Sequence, residues 1–150
     1  MKEMKKSGYE TLIETMVEDP RLKRMDQFIQ HGNVTTLDHV KSVARMSLAV
    51  NERLGLNGDP RVLVRGGLLH DYYLYDWHHY DGGRFHGFTH PAAALKQAEQ
   101  DFDLSDREKN VIRSHMWPLT LLHVPDCREA WIVSLSDKLV SLHETLRRRR

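Results

Sequence analysis

The sequence predicts an all-α protein, and three observations carry that reading. Apolar residues recur at steps of three and four along most of the chain. No segment alternates apolar and polar residues in the way a half-buried strand does. Capping and breaking residues divide the chain into helices of ordinary length. At 150 residues, with 40% apolar and 29% charged residues, the chain has the size and composition of one globular domain with a core of its own.

The elements follow in order. Tyr9 to Val17 makes a short amphipathic helix, closed near Pro20, and Arg21 to Gln30 reads as a second helix ended by His31-Gly32-Asn33. The third starts after Thr35 or Thr36, either able to cap it, and runs to about Leu54, where Gly55, Asn57 and Gly58 break the chain. Asp59-Pro60 opens the fourth, with proline in the first turn, where its missing N–H is no loss. That helix carries Val62, Leu63, Leu68 and Leu69 into His70-Asp71. Tyr75 to Gly87, aromatic and interrupted by Gly82-Gly83, reads as a loop. A fifth helix follows Thr89-His90-Pro91 and runs to about Gln100. Ser105 and Glu108 form a capping-box signature for the sixth, which carries Val111 and Ile112 up to His115 and ends before Pro118. The last starts near Asp126 and passes Asp137 toward the terminus.

A formal net charge of +1 gives no overall pull toward nucleic acid or a membrane surface. The basic run Arg147 to Arg150 reads as a helix end, where the dipole favours cations. One cysteine, Cys127, excludes an intrachain disulfide and a cysteine-rich zinc site. The charged start MKEMKKSGYE has no apolar region of a secretory signal, and no run approaches the ~18–20 apolar residues of a bilayer span, so the expected location is cytoplasmic. Oligomeric state is not set by the pattern, since no helix shows a second, clearly exposed apolar face. The unusual number is ten histidines, spread along the chain, which points to nitrogen and oxygen chemistry, either a metal or acid–base catalysis.

Several of these histidines sit where the apolar stripes point. His39 precedes Val43, Met46 and Val50 by four, seven and eleven residues. His115 follows Val111 and Ile112 by four and three, and Asp137 shares a face with Val133, Ser134 and Val140. His70 and Asp71 end an apolar run. One inward histidine is ordinarily satisfied by a backbone carbonyl. Four helices each aiming an ionisable group inward is different, because each unpaired buried charge or imidazole costs a few kcal/mol. A bound cation offsets all of them together.

The ordered set His39, His70-Asp71, His90, His115 and Asp137 resembles the HD-domain superfamily of metal-dependent phosphohydrolases, over about Thr35 to Glu144. The resemblance implies a single HD domain of six or seven helices, with residues 1–34 as an N-terminal helical extension and 35–144 as the metal-binding core. It implies that His39, His70, Asp71 and Asp137 hold one metal. His90 and His115 match the extra histidines of two-metal members, with Asp71 as the bridge. His86, in Phe85-His86-Gly87, competes with His90 for that place; a histidine-proline opening an alanine-rich helix favours His90. The chain departs from many relatives after the His-Asp pair, where it reads Asp71-Tyr72-Tyr73-Leu74-Tyr75-Asp76-Trp77. With His115-Met-Trp-Pro, this looks like a narrower bacterial branch. The Gly-Tyr-Pro of cyclic-dinucleotide phosphodiesterases is absent, which argues against that substrate.

The implied cofactor is a divalent transition metal, one or two ions of Fe, Mn, Zn or Ni. Two ions roughly 3.5–4 Å apart lower the pKa of water between them and polarise phosphoryl oxygens. The expected reaction is hydrolysis of a phosphate ester or anhydride in a small phosphorylated substrate such as a nucleotide, without a membrane or specific nucleic-acid partner. Asp71 is the central catalytic candidate. His86 is preferred over His78 and His79 as proton donor, and Lys138 or Arg84 could pair with phosphate. Tyr72, Tyr73, Tyr75 and Trp77 could stack on a base or pack as core. His31, His123 and His143 match no pattern, and His143, six residues from Asp137, falls on another face. Three other readings share much of this pattern: a metal-containing nucleotide-binding module without turnover, a di-iron oxygenase of the same fold, and a purely structural helical protein.

Overall fold

The computed structural model describes the backbone of residues 2–31, 33–72 and 86–148, and the side chains of 8–29, 33–72 and 91–147. The protein is all-α. Its helices are α1 (Lys2–Val17), α2 (Pro20–Lys23), α3 (Thr36–Arg53), α4 (Pro60–Leu69), α5 (His86–Asp101), α6 (Asp106–Ser114) and α7 (Arg128–Arg148).

The caps explain the boundaries. Thr35 caps α3 by accepting a hydrogen bond from the Asp38 amide at 3.1 Å, while its hydroxyl donates to Asp26. Asp59 caps α4 in the same way through the Arg61 amide, with Pro60 in the first turn. At α6 both halves of the capping box are made: Ser105 accepts from the Glu108 amide, and Glu108 accepts from the Ser105 amide. Each such cap stabilises its helix by about 1 kcal/mol.

Two elements differ from expectation. The predicted second helix stops at Lys23, continues as a 3-10 segment over Arg24–Gln27, and gives way to a strand, β1 (Ile29–His31), paired antiparallel with β2 (Val34–Thr35). The Thr36 amide donates to the Phe28 carbonyl at 2.7 Å, so the pair pins the chain at the entry to α3. Leu22 and Met25 are fully buried and stand three residues apart, a spacing that a 3-10 turn shares with an α-helix, so apolar spacing alone did not separate the two. The other difference is α5, which begins at His86 and contains Pro91 instead of starting after it. Near a helix start, proline forfeits one hydrogen bond, here to the Gly87 carbonyl, and Pro91 itself is buried.

The core has two parts that meet along α3 and α4. One joins Ile13, Val17, Leu22 and Met25 to Val40, Ala44, Leu68, Leu69, Ala94, Ala98 and Ile112. The other joins Val43, Val62 and Leu63 to Val111, Ala130, Ile132, Val133 and Val140. Helices α3, α4, α6 and α7 pack on one another as the central group. Close approach needs the pair Gly66-Gly67 on α4. A Cβ on Gly66 would lie 2.7 Å from Val111 Cγ1 on α6, and one on Gly67 would lie 3.0 Å from the Ala44 Cα on α3. Polar ties reinforce the group: Arg65 donates to Glu108 at 2.9 Å, and buried Glu129 accepts from the Asp59 amide and from Arg107, both at 3.0 Å. Among the described residues, no helix is long and apolar enough to cross a membrane.

Candidate metal centre

The four central helices each deliver a side chain to one buried point. His39 comes from the first turn of α3 and Asp137 from the middle of α7. His70 and His115 occupy the same structural position twice, each the residue that closes the C-terminus of its helix, α4 and α6. In both, the ring folds back so that Nδ1–H donates to the carbonyl three residues earlier, Gly67 and Ile112, at 2.6 Å. Those bonds fix the tautomer and turn each Nε2 inward as a lone-pair donor. Two helix C-termini therefore end at the site, and their negative dipole ends favour a cation there.

The inward atoms converge. Donor atoms of His39, His70, Asp71 and Asp137 all lie within 4.8 Å of one another, and all four residues are buried. His39 Nε2 is 2.9 Å from Asp137 Oδ1 and 3.5 Å from Asp71 Oδ2. His70 Nε2 is 3.3 Å from Asp71 Oδ2 and 3.4 Å from Asp137 Oδ1, yet it makes no well-aligned hydrogen bond, leaving a fully buried polar atom orphaned. Ligands about 2.0–2.2 Å from one ion stand roughly 3 Å or slightly more apart, which is the spacing seen. Asp71 divides its oxygens: Oδ2 faces His39 and His70, and Oδ1 is 3.4 Å from His115 Nε2. The rings of His70 and His115 meet edge-to-face with centroids 4.8 Å apart.

The electrostatics describe a cluster that wants positive charge. Burial opposes a charged imidazole at His39, but hydrogen bonds to Asp137 and Glu144 outweigh it and push His39 up to about 9. His70 is also raised: burial works against its charge, and Asp71 and Asp137 prevail. Asp137 is held below the usual carboxylate range, since the hydrogen bond from His39 and the nearby His70 imidazole outweigh its own burial.

Glu144 was absent from the expected set. It accepts from His39 Nδ1–H at 3.0 Å, is buried, and occupies the outer position that orients a ligating histidine. Its signal was present, for it follows Asp137 by seven residues and so returns to the same helix face. Lys138 lies at the rim with its ammonium already engaged. It donates to the Ser134 hydroxyl at 2.8 Å, the His115 carbonyl at 3.2 Å and the Ser134 carbonyl at 3.3 Å, and burial lowers its pKa.

Tyr72 is core and offers no face to a ligand: it is fully buried, its hydroxyl donates to Asp101 at 2.5 Å, and its ring packs edge-to-face on Phe102. His123 takes a hydrogen bond from Arg113 at 3.1 Å, and His143 is exposed. His86 and His90 lie on the first turns of α5, with their side chains outside the described residues. His78, His79, Arg84, Tyr73, Tyr75 and Trp77 lie outside the described residues altogether, and the side chain of His31 does too.

The HD domain family matches residues 36–142, a span that holds His39, His70-Asp71, His115 and Asp137. The chain belongs to the HD-domain family. No curated protein and no solved structure matches it. HD domains form a superfamily of metal-dependent hydrolases, and in this HD domain the buried His39, His70, Asp71 and Asp137 group fits a divalent metal. Its donor set of imidazole nitrogen and carboxylate oxygen suits borderline first-row metals and has no thiolate to favour softer ones.

Proposed function

We propose that this HD domain is a metal-dependent phosphohydrolase that cleaves a phosphate ester or anhydride in a nucleotide or related small phosphorylated molecule. The observation that carries the reading is the set of three buried imidazoles, each anchored through Nδ1, with Nε2 atoms meeting two aspartates. His39, His70, Asp71 and Asp137 hold one ion. The divided oxygens of Asp71 support a second, held with His115 and with His90 or His86. Fe, Mn, Zn or Ni bound there supplies Lewis acidity toward a phosphoryl oxygen and lowers the pKa of water.

The chain's own residues do the rest. Glu144 holds the His39 ring in its ligating orientation. Lys138, tied to the His115 carbonyl, acts as a positioning residue for that histidine, in place of direct phosphate contact. His86 is the proposed proton donor to the leaving oxygen.

The direct test is chelation followed by addition of single metals, with phosphate release read across nucleotides, dinucleoside polyphosphates and generic phosphate esters. Activity is expected to vanish on chelation and return with Mn or Fe before Mg, because imidazole-rich sites disfavour Mg. A fully metallated protein without turnover across that panel would sink the hydrolase reading and leave a binding module. Glu144→Gln keeps the shape but loses the charge behind His39. Its metal affinity is expected to fall about 10–100-fold by titration, with helicity unchanged. Unchanged affinity would remove Glu144 from the site.

A further inference from the structure

Helix α7 is apolar on two opposite faces. One carries Asp137 and Glu144 into the core. The other carries Trp131, Leu135, Leu139, Leu142 and Leu146, all exposed, between 42% and 57%. At 100° per residue these five fall in a sector of about 80° on the far side of the helix from Asp137. The expectation that no helix has a second apolar face is therefore overturned at α7. The connection before α7 also exposes Leu121 at 71% and Leu122 at 95%. Trp131 is steadied from the same connection by Trp117, edge-to-face at 5.0 Å.

We propose that this face pairs with the same face of a second copy of the chain, α7 against α7, antiparallel about a two-fold axis near Leu139. Area is the first argument. Taken with ordinary whole-residue areas, the five residues of the stripe leave about 500 Å² uncovered, close to the apolar share of the ~800 Å² per partner of a standard protein interface.

Spacing is the second argument. The steps along the stripe are four, four, three and four residues, which keeps it on a coiled-coil-like seam. The seam also reads nearly the same in reverse. Two-fold pairing sets Leu139 against Leu139 of the second copy, Leu135 against its Leu142, and Trp131 against its Leu146. A self-complementary patch of this kind is what an isologous dimer requires. Trp131, held rigid by Trp117, is the kind of anchor that dominates such interfaces.

The double substitution Leu139→Glu/Leu142→Glu changes exposed side chains only, so the monomer fold should survive. Sedimentation equilibrium at micromolar concentration is expected to show a dimer for the parent chain and one at least about 100-fold weaker for the double variant, with equal helicity. In a Cys127→Ser background, Leu139→Cys is expected to oxidise to a disulfide-linked dimer, whereas Leu146→Cys is not. A monomeric parent chain, a dimer untouched by the double substitution, or efficient cross-linking through Leu146→Cys would overturn the arrangement. So would a monomeric chain that floats with anionic vesicles through this face. None of these readouts depends on the hydrolase reading.

Discussion

Asp71→Ala is expected to lower phosphate release by about 10³-fold or more, equivalent to roughly 4 kcal/mol of transition-state stabilisation. Among the described residues, Asp71 is the one carboxylate that faces His39 and His70 with one oxygen and His115 with the other. In the proposed two-metal centre, its removal takes a ligand from both halves. Metal analysis should show loss of bound ion in parallel with activity, and Asp71→Asn should behave almost as severely, since the amide keeps the shape without the charge. Three buried imidazoles are left with less counter-charge, so thermal unfolding must be measured beside activity to separate chemistry from folding. A folded Asp71→Ala protein that retains metal and turnover would place the centre elsewhere.

Gly66→Val carries the largest expected effect on stability. The new side chain drives γ-carbons toward Val111, where even a Cβ would sit 2.7 Å from Cγ1. Overpacking of this kind costs about 1–3 kcal/mol, and the small helix-propensity gain over glycine offsets part of it. At about 2–4 °C per kcal/mol for a chain of this size, the expected fall in Tm is about 2–10 °C. Because α4 delivers His70 and Asp71 a few residues later, metal affinity should drop with it. Gly8→Ala, at a site with nothing within 4 Å, is the control and should leave Tm unchanged or slightly higher. Equal behaviour of the two variants would mean that α4 and α6 do not need the close approach.

Much of the molecule was legible from local chemistry. Thr35, Asp59-Pro60 and the Ser105/Glu108 box mark helix starts because their side chains satisfy the amides of the first turn, within a few residues of themselves. His39, His115 and Asp137 were found as polar members of apolar faces, and the face of a helix depends only on its period. Glu144 lies on the same face, seven residues past Asp137, yet it was missed, because a glutamate near a helix end reads equally as a solvated charge until His39 lies beside it.

Other features needed the fold. Tyr72 stood in an aromatic run that could stack on a base or pack as core, and the nearness of Asp101 and Phe102 decides for core. The strand at Ile29–His31 exists because β2 and α3 supply its partners, and a three-residue strand has no periodicity of its own to display. The glycine pair on α4 is a weak helix signal until Val111 and Ala44 press against it.

The sequence by itself determined an all-α chain, most of its helix starts and the residues that point inward as an HD-type set. Tertiary structure alone decided that those inward groups meet at one point, that Asp71 divides its oxygens between the histidines, and that the outer stripe of α7 stays uncovered. The reason is physical. Periodicity and capping act within one element, whereas distance, burial and charge coupling belong to pairs of elements that are far apart in the chain.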